Sequence, residues 1–395
     1  MKNLAIESKL PQQKTTIFTV MSELATKHQA INLGQGFPDF NCDPNLLNAT
    51  AQAMQKGFNQ YAPMIGVLEL RQAISQKIHA QYGYRYDVNK EITITAGATQ
   101  AIYTAIQCCV QNNDEVILIE PAFDSYLPAI QLAGGKPIPI PMKIERDANG
   151  QVAGYAFPWD EIAKATTQKT RLLILNTPHN PTGVIWQEED IQRLRELVNP
   201  SNILLLSDEV YEHMVYDGQP HLSIARYPDL AKRSFLISSF GKTFHVTGWK
   251  VAFMAAPENL TTEFRKVHQF NVFTVNTPMQ FGIASFMSDP KHYINLSDFY
   301  QSKRDYFRAG LANTGLKLLP CQGSYFQCVD YSGLQIKEAQ YTDAEFCCWL
   351  TTELGVAAIP NSAFYTNQTD LSVIRFCFAK KEETLQAALN RLQVL

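Results

Sequence analysis

Two lysines eight residues apart stand in a run of small and aromatic residues: Ser238-Ser239-Phe240-Gly241-Lys242-Thr243, then Gly248-Trp249-Lys250. Lys242 follows the apolar run Ser234 to Ser238, and Lys250 precedes another that begins at Val251. A lysine on a tight turn beside a sheet is partly desolvated, which lowers its pKa and makes its amine a nucleophile. Such an amine can hold an aldehyde cofactor as a Schiff base. A lone lysine is ordinarily a solvated surface residue, so this reading depends on the company Lys242 keeps. Two look-alike motifs fail. Gly241-Lys242-Thr243 is the tail of a phosphate-binding P-loop, but the required first glycine falls on Leu236 inside an expected strand. Gly34-Gln35-Gly36 begins a dinucleotide fingerprint, but Asp39 occupies the third glycine position.

Other residues supply what Lys242 lacks alone. Gly97-Ala98-Thr99 ends an apolar run and opens a helical pattern. Free N–H groups at a helix start suit a phosphate, and the Thr99 hydroxyl adds a donor, although a threonine there also serves as a plain N-cap. Asp208 follows an apolar run, so its carboxylate is poorly solvated and needs a cation: a protonated pyridine nitrogen, or an arginine or lysine elsewhere. Tyr211 and Asn180 can donate to a phenolate oxygen, and Phe123 can stack on a flat ring or simply fill the core. A lysine for an aldehyde, an acid for a ring nitrogen, donors for a ring oxygen, a stacking ring and a phosphate cup are the parts pyridoxal phosphate requires.

The elements that must position these groups are legible between residues 91 and 256. Short β-branched runs (91–95, 115–119, 171–175, 202–206, 234–238 and 251–255) alternate with helical patterns such as 99–111. Runs apolar throughout read as strands covered on both faces, and strands separated by helices imply crossovers and a mostly parallel sheet. Chemistry in such sheets gathers at the carboxyl ends of the strands, which is where Thr99, Phe123, Asn176, Asn180, Asp208, Tyr211, Ser239 and Lys242 fall. Residues 259–288 read as one or two helices. Residues 290–395 mix helices (298–311, 343–354, 381–395) with short strands (324–329, 372–378), as a smaller α/β domain would.

Composition sets the outer bounds. A chain of 395 residues, 46% hydrophobic and 18% charged, builds an ordinary globular core. A formal net charge of −3 offers no basic footprint for nucleic acid or a membrane surface. Charges scattered through the first thirty residues leave no apolar signal core, so the expected location is the cytoplasm. The eight cysteines lack C-x-x-C spacing and the eight histidines lack ligand spacing, so reduced thiols and no metal are expected.

The motifs S-x-x-K ending at Lys242, G-W-K at 248–250, N-T-P-H-N-P-T-G at 176–183 and S-D-E-V-Y at 207–211 resemble those of the fold-type I, class I/II aminotransferases. L-G-Q-G-F-P-D-F at 33–40 narrows the resemblance to the branch of kynurenine aminotransferases and glutamine transaminase K. T-T-I-F at 15–18, N-Q-Y-A-P-M at 59–64, K-V-H-Q at 266–269, V-N-T-P at 275–278 and C-F-A-K-K at 377–381 point to its bacterial methionine aminotransferases. Phe123 stands where that group carries a tyrosine; either ring can stack.

The resemblance implies a large cofactor domain at 41–284 with a seven-stranded, mostly parallel sheet between helices. A small domain would comprise 1–40 and 285–395. It implies pyridoxal phosphate held by Lys242 as an aldimine, with Asp208 on the ring nitrogen, Tyr211 and Asn180 on the ring oxygen, and Phe123 stacked. Ser239, Lys250, Ala98 and Thr99 would hold the phosphate, with Tyr61 reaching it from the partner of a homodimer. Arg375 would grip the substrate carboxylate, helped by Asn176 and Gly36, as a planar guanidinium suits a carboxylate. A buried ion pair is the alternative for that arginine. Phe18, Tyr61 and Phe273 would line a side-chain pocket for methionine or aromatic amino acids, with kynurenine and glutamine also possible donors and a 2-oxo acid the acceptor. A cysteine-S-conjugate β-lyase on the same cofactor is the alternative activity.

Overall fold

The computed structural model describes residues 6–334 and 340–395. Its centre is a sheet of seven strands: β1 Ile92–Thr95, β2 Glu115–Glu120, β3 Lys136–Pro141, β4 Thr170–Asn176, β5 Leu204–Asp208, β6 Ser234–Ser239 and β7 Ala252–Ala255. They lie in the order β1-β7-β6-β5-β4-β2-β3. Every pair from β3 across to β6 is parallel, and only β7 runs against its neighbours. The uninterrupted apolar runs are explained by burial on both faces. Val116 and Leu118 pack with Ile102 and Ile106 of the helix Ala98–Cys109, while Ile117 and Ile119 belong to the core on the opposite face. This is the expected seven-stranded, mostly parallel α/β architecture.

One strand was hidden in the sequence. β3 reads Lys-Pro-Ile-Pro-Ile-Pro, and proline removes a ladder donor. It is tolerated because β3 is an edge strand paired only with β2. The N–H groups of Lys136 and Met142 donate inward to Asp114 and Glu120, at 2.8 and 2.6 Å. By alternation Pro137, Pro139 and Pro141 turn their donor-less nitrogens outward.

A second sheet holds β8 Lys317–Leu318, β9 Phe326–Asp330, β10 Ile359–Pro360 and β11 Val373–Cys377, antiparallel in the order β8-β9-β11-β10. The segment Ile31–Asn32 pairs with Val356–Ala357, and the Leu33 carbonyl accepts from the Cys377 N–H at 2.7 Å. Residues 33–36 are thereby laid beside β11. The 259–288 region divides into Glu258–Asn271 and Thr277–Phe286, the second capped by Asn276, whose side chain accepts from the Met279 N–H.

Behind the strand ends lies a buried ion pair. Lys77, on the helix Leu68–Tyr82, donates to the carboxylate of Glu212, which also accepts from the Tyr82 hydroxyl at 2.6 Å and from Ser238. One carboxylate thus ties that helix to the turn after β5 and to β6. Removing one member of such a pair leaves an uncompensated buried charge. Lys77→Met is expected to lower unfolding free energy by about 3–5 kcal/mol, read as an earlier urea midpoint. Adding Glu212→Gln should recover much of the loss.

Candidate active site

The polar strand ends do converge. Gly97, Ala98, Thr99, Phe123, Asn176, Asn180, Asp208, Tyr211, Ser239, Lys242 and Lys250 line one cavity of about 170 Å3, joined by Ile102, Val210, Gly241, Thr247 and Val251. Among these lining residues Asp208 carries the only carboxylate. It ends β5 beside Asn176, its register partner at the end of β4. Asn176 knits the two loops, donating to the Asp208 carbonyl at 2.8 Å and accepting from the Asn180 N–H at 2.7 Å.

Burial pushes the Asp208 carboxyl up to about 6, against the opposing pull of Tyr126, the Val210 N–H and Lys242. The Tyr126 hydroxyl donates to Oδ2 at 2.6 Å, and the Val210 N–H donates to Oδ1 at 3.3 Å. Lys242 sits on the single helical turn Phe240–Thr243 that follows β6. Its Nζ donates to the Gly36 carbonyl at 2.9 Å and to the Tyr325 oxygen at 2.8 Å. Burial brings this amine down to about 8, with Arg375 and Lys250 acting in the same sense and Cys377 and Asp208 opposing them. Burial also pushes the Tyr211 phenol upward, so it remains protonated.

The anion cup has its own geometry. Gly97 takes φ +81 immediately before the twelve-residue helix Ala98–Cys109, whose first turn carries no acidic residue. A Cβ on Gly97 would lie 3.0 Å from the Lys250 Nζ, so the glycine leaves room for that ammonium. Lys250 itself takes φ +55, a conformation a side chain rarely adopts and one that marks functional sites. A lysine forced over a helix N-terminus, and ion-paired with no carboxylate among the described residues, is chemistry suited to a phosphate.

Arg375, in β11, is 1% exposed. Its Nη1 donates to Asn180 Oδ1 at 2.7 Å and Nη2 to the Gly34 carbonyl at 3.1 Å, while Nε has no partner among the described residues. The guanidinium lies 3.8 Å from the Phe326 ring centroid, 4.9 Å from Phe364 and 5.5 Å from Phe18. Its bonds go to an amide and a carbonyl, not to a carboxylate. A Cβ on Gly36 would come within 2.9 Å of Phe326, so this close approach needs glycine. Tyr61 and Phe273 are not brought to the cavity; their rings meet at 5.3 Å on the surface, where Tyr61 is 81% exposed. Sequence reading missed Tyr126 and Tyr325. Tyr126 lies one turn beyond Phe123, a spacing that could have flagged it. Nothing in the sequence links Tyr325 to Lys242.

A helix-flanked, mostly parallel sheet with its polar strand ends gathered around Lys242 is the architecture of a fold-type I transferase. The chain belongs to the class I and II aminotransferases, whose family model matches residues 28–392. It is 48% identical to methionine aminotransferase of Escherichia coli, over 98% of each chain. It is 35% identical to human kynurenine–oxoglutarate transaminase 1, over 94% of this chain and 93% of that one. The solved structure of Escherichia coli YbdL, described as having a methionine aminotransferase function, superposes with a TM-score of 0.94 over 99% of this chain and all of the other. The N-succinyldiaminopimelate aminotransferase of Mycobacterium tuberculosis gives 0.92 at 37% identity, over 99% of this chain and 100% of its own.

Tyr126→Phe deletes one hydrogen bond to the ionised form of Asp208, a bond worth about 1.5–3 kcal/mol, or roughly one to two pKa units. The Asp208 carboxyl is therefore expected to titrate above about 6 in this variant. A 13C-aspartate NMR titration of the cofactor-free protein checks this, with Asp208→Asn to assign the signal.

Proposed function

We propose that this protein is a pyridoxal-phosphate aminotransferase acting on methionine and aromatic amino acids, with a 2-oxo acid as amino acceptor. The observation that carries the reading is the Lys242 amine, brought down to about 8 and held by neutral acceptors at the rim of a cavity whose single carboxylate is Asp208. When bound, the cofactor supplies a reactive carbonyl and a ring that draws electron density from the substrate's α-carbon.

The chain's own residues do the rest. Lys242 would hold the carbonyl and, once released by substrate, carry a proton from the α-carbon as general base. Asp208, kept dry and ionisable, would keep the ring nitrogen protonated. Tyr211 and the free amide N–H of Asn180 would hold the ring oxygen, and Phe123 would stack. Ala98, Thr99, Ser239 and Lys250 would bind the phosphate. Arg375, its guanidinium boxed by aromatic rings and its Nε unpaired, suits a substrate carboxylate, with Asn176 and Gly36 alongside. Phe18 would line the side-chain pocket, and aromatic walls favour thioether and aromatic side chains.

A homodimer completes the reading, with Tyr61 and Phe273 serving the partner's site. Support comes from their exposure, together with Phe270 at 92%, and from the left-handed φ of +68 at Phe273. We also propose the division into a large domain at 41–284 and a small one at 1–40 with 285–395. A cytoplasmic location is supported by eight cysteines that are all free. The relatives' stated activities are transaminations, so the β-lyase alternative is not favoured.

The decisive experiment incubates the loaded protein with methionine and a 2-oxo acid, beside a cysteine conjugate alone. Pyruvate and thiol from the conjugate, without amino transfer from methionine, would overturn the proposal. Lys242→Ala is expected to abolish the visible absorption band of the loaded protein. Arg375→Ala should weaken substrate binding by about 2–4 kcal/mol, seen as a steep rise in KM.

A further inference from the structure

Tyr325 has no part in the function proposed above, yet it touches the amine on which that function depends. Its oxygen lies 2.8 Å from Lys242 Nζ, and its own proton is donated to the Gly36 carbonyl. A phenol has one proton to give, so toward Lys242 it can only accept. The Gly36 carbonyl accepts from the same amine at 2.9 Å. A neutral amine has two N–H bonds and one lone pair. With both N–H groups donated to these oxygens, the lone pair takes the remaining tetrahedral direction.

The chain invests in this placement. Ser324, immediately before, takes φ +62, in the left-handed region where a side chain is strained. The turn is pinned from several sides. Tyr216 donates to the Ser324 carbonyl, the Ser324 N–H donates to Met214 at 2.9 Å, and the Phe378 N–H donates to the Tyr325 carbonyl at 3.0 Å. The Tyr325 ring is fully buried, 5.1 Å from that of Tyr211. The Tyr211 ring centroid lies 5.7 Å from Nζ, and the other charged or titratable groups acting most strongly on Lys242 are Asp208, Arg375, Cys377 and Lys250. None of them bonds to Nζ.

We propose that Tyr325, together with the Gly36 carbonyl, is a positioning residue that aims the Lys242 amine and holds it between proton transfers. The inference rests on Lys242 being the proton carrier. Tyr325→Phe removes one oxygen and keeps the ring. In cofactor-free protein, the pH dependence of Lys242 acetylation by acetic anhydride, followed by peptide mass, reports the amine's pKa. Losing an acceptor that favours the ammonium should lower that midpoint by about one unit.

In the loaded variant the absorption band should persist and KM should stay within about threefold, while kcat falls about 10- to 100-fold. The isotope effect with α-deuterated methionine should grow. Ser324→Gly, which relaxes the aiming turn but keeps the phenol, should lower kcat less, and it carries the test if Tyr325→Phe melts early. An unchanged acetylation midpoint with unchanged kcat in Tyr325→Phe overturns the proposal. Failure of the underlying function would show separately, as an absorption band that survives Lys242→Ala.

Discussion

One cavity has to keep a buried carboxylate and an amine both ionisable, and most of the surrounding structure serves that requirement. Burial moves Asp208 up to about 6 and Lys242 down to about 8. Near pH 7 both are mostly charged, and each is close to switching. Both shifts oppose folding there. A carboxyl raised on folding contributes stability only at low pH, and loses it as pH rises from its unfolded value through about 6. An amine lowered on folding weighs fully against the fold below about 8, and that penalty lifts only as pH rises from there to the amine's ordinary unfolded value of 10.5. Tyr126, the Val210 N–H, Gly36 and Tyr325 offset part of that cost with hydrogen bonds. A bound group that pairs with either charge offsets more, so occupancy of the cavity is expected to stabilise the fold.

Three separated stretches of chain meet at this point. The ends of β4, β5 and β6 bring Asn176, Asp208 and Ser239; β9 and β11 bring the Tyr325 loop and Arg375; and the segment paired with Val356–Ala357 brings Gly34 and Gly36. Asn180 links two of them by donating its N–H to Asn176 while accepting from Arg375. Groups that would bind the cofactor and the substrate are therefore mechanically joined. The site exists only while the two sheets and the N-terminal segment stay seated together.

Much of this was legible in the sequence because buried parallel strands leave a composition signal. β4 and β5 each carry an unbroken run of Leu and Ile (Leu172 to Leu175 and Leu204 to Leu206), and the polar residues that close those runs read as strand ends. Lys242, Asp208 and Asn180 were readable for that reason, and Arg375 because a charge inside an apolar strand demands a partner. β3 was not readable, since its alternating prolines argue against a strand everywhere except at an edge. Tyr126 and Tyr325 reach their partners across 82 and 83 residues of chain, and the Lys77–Glu212 pair across 135. No spacing rule spans such distances; only the folded sheet sets them side by side.

The two edges of that sheet are closed by different means. At one, the outward prolines of β3 leave the edge without N–H donors for a further strand. At the other, β1 turns outward the Ile94 N–H, which donates to the Ile65 carbonyl at 3.0 Å, and the Ile92 carbonyl, which accepts from Arg265 at 2.8 Å. Ile65 lies four residues beyond Tyr61, in the stretch leading from the exposed aromatic surface. The guard on this edge is thus a loop and one arginine side chain, where the other is a covalent fact. Loosening residues 60–67 would take away the acceptor of the Ile94 N–H and open that part of the edge to cross-molecular β-pairing. Damage to that surface would then cost solubility.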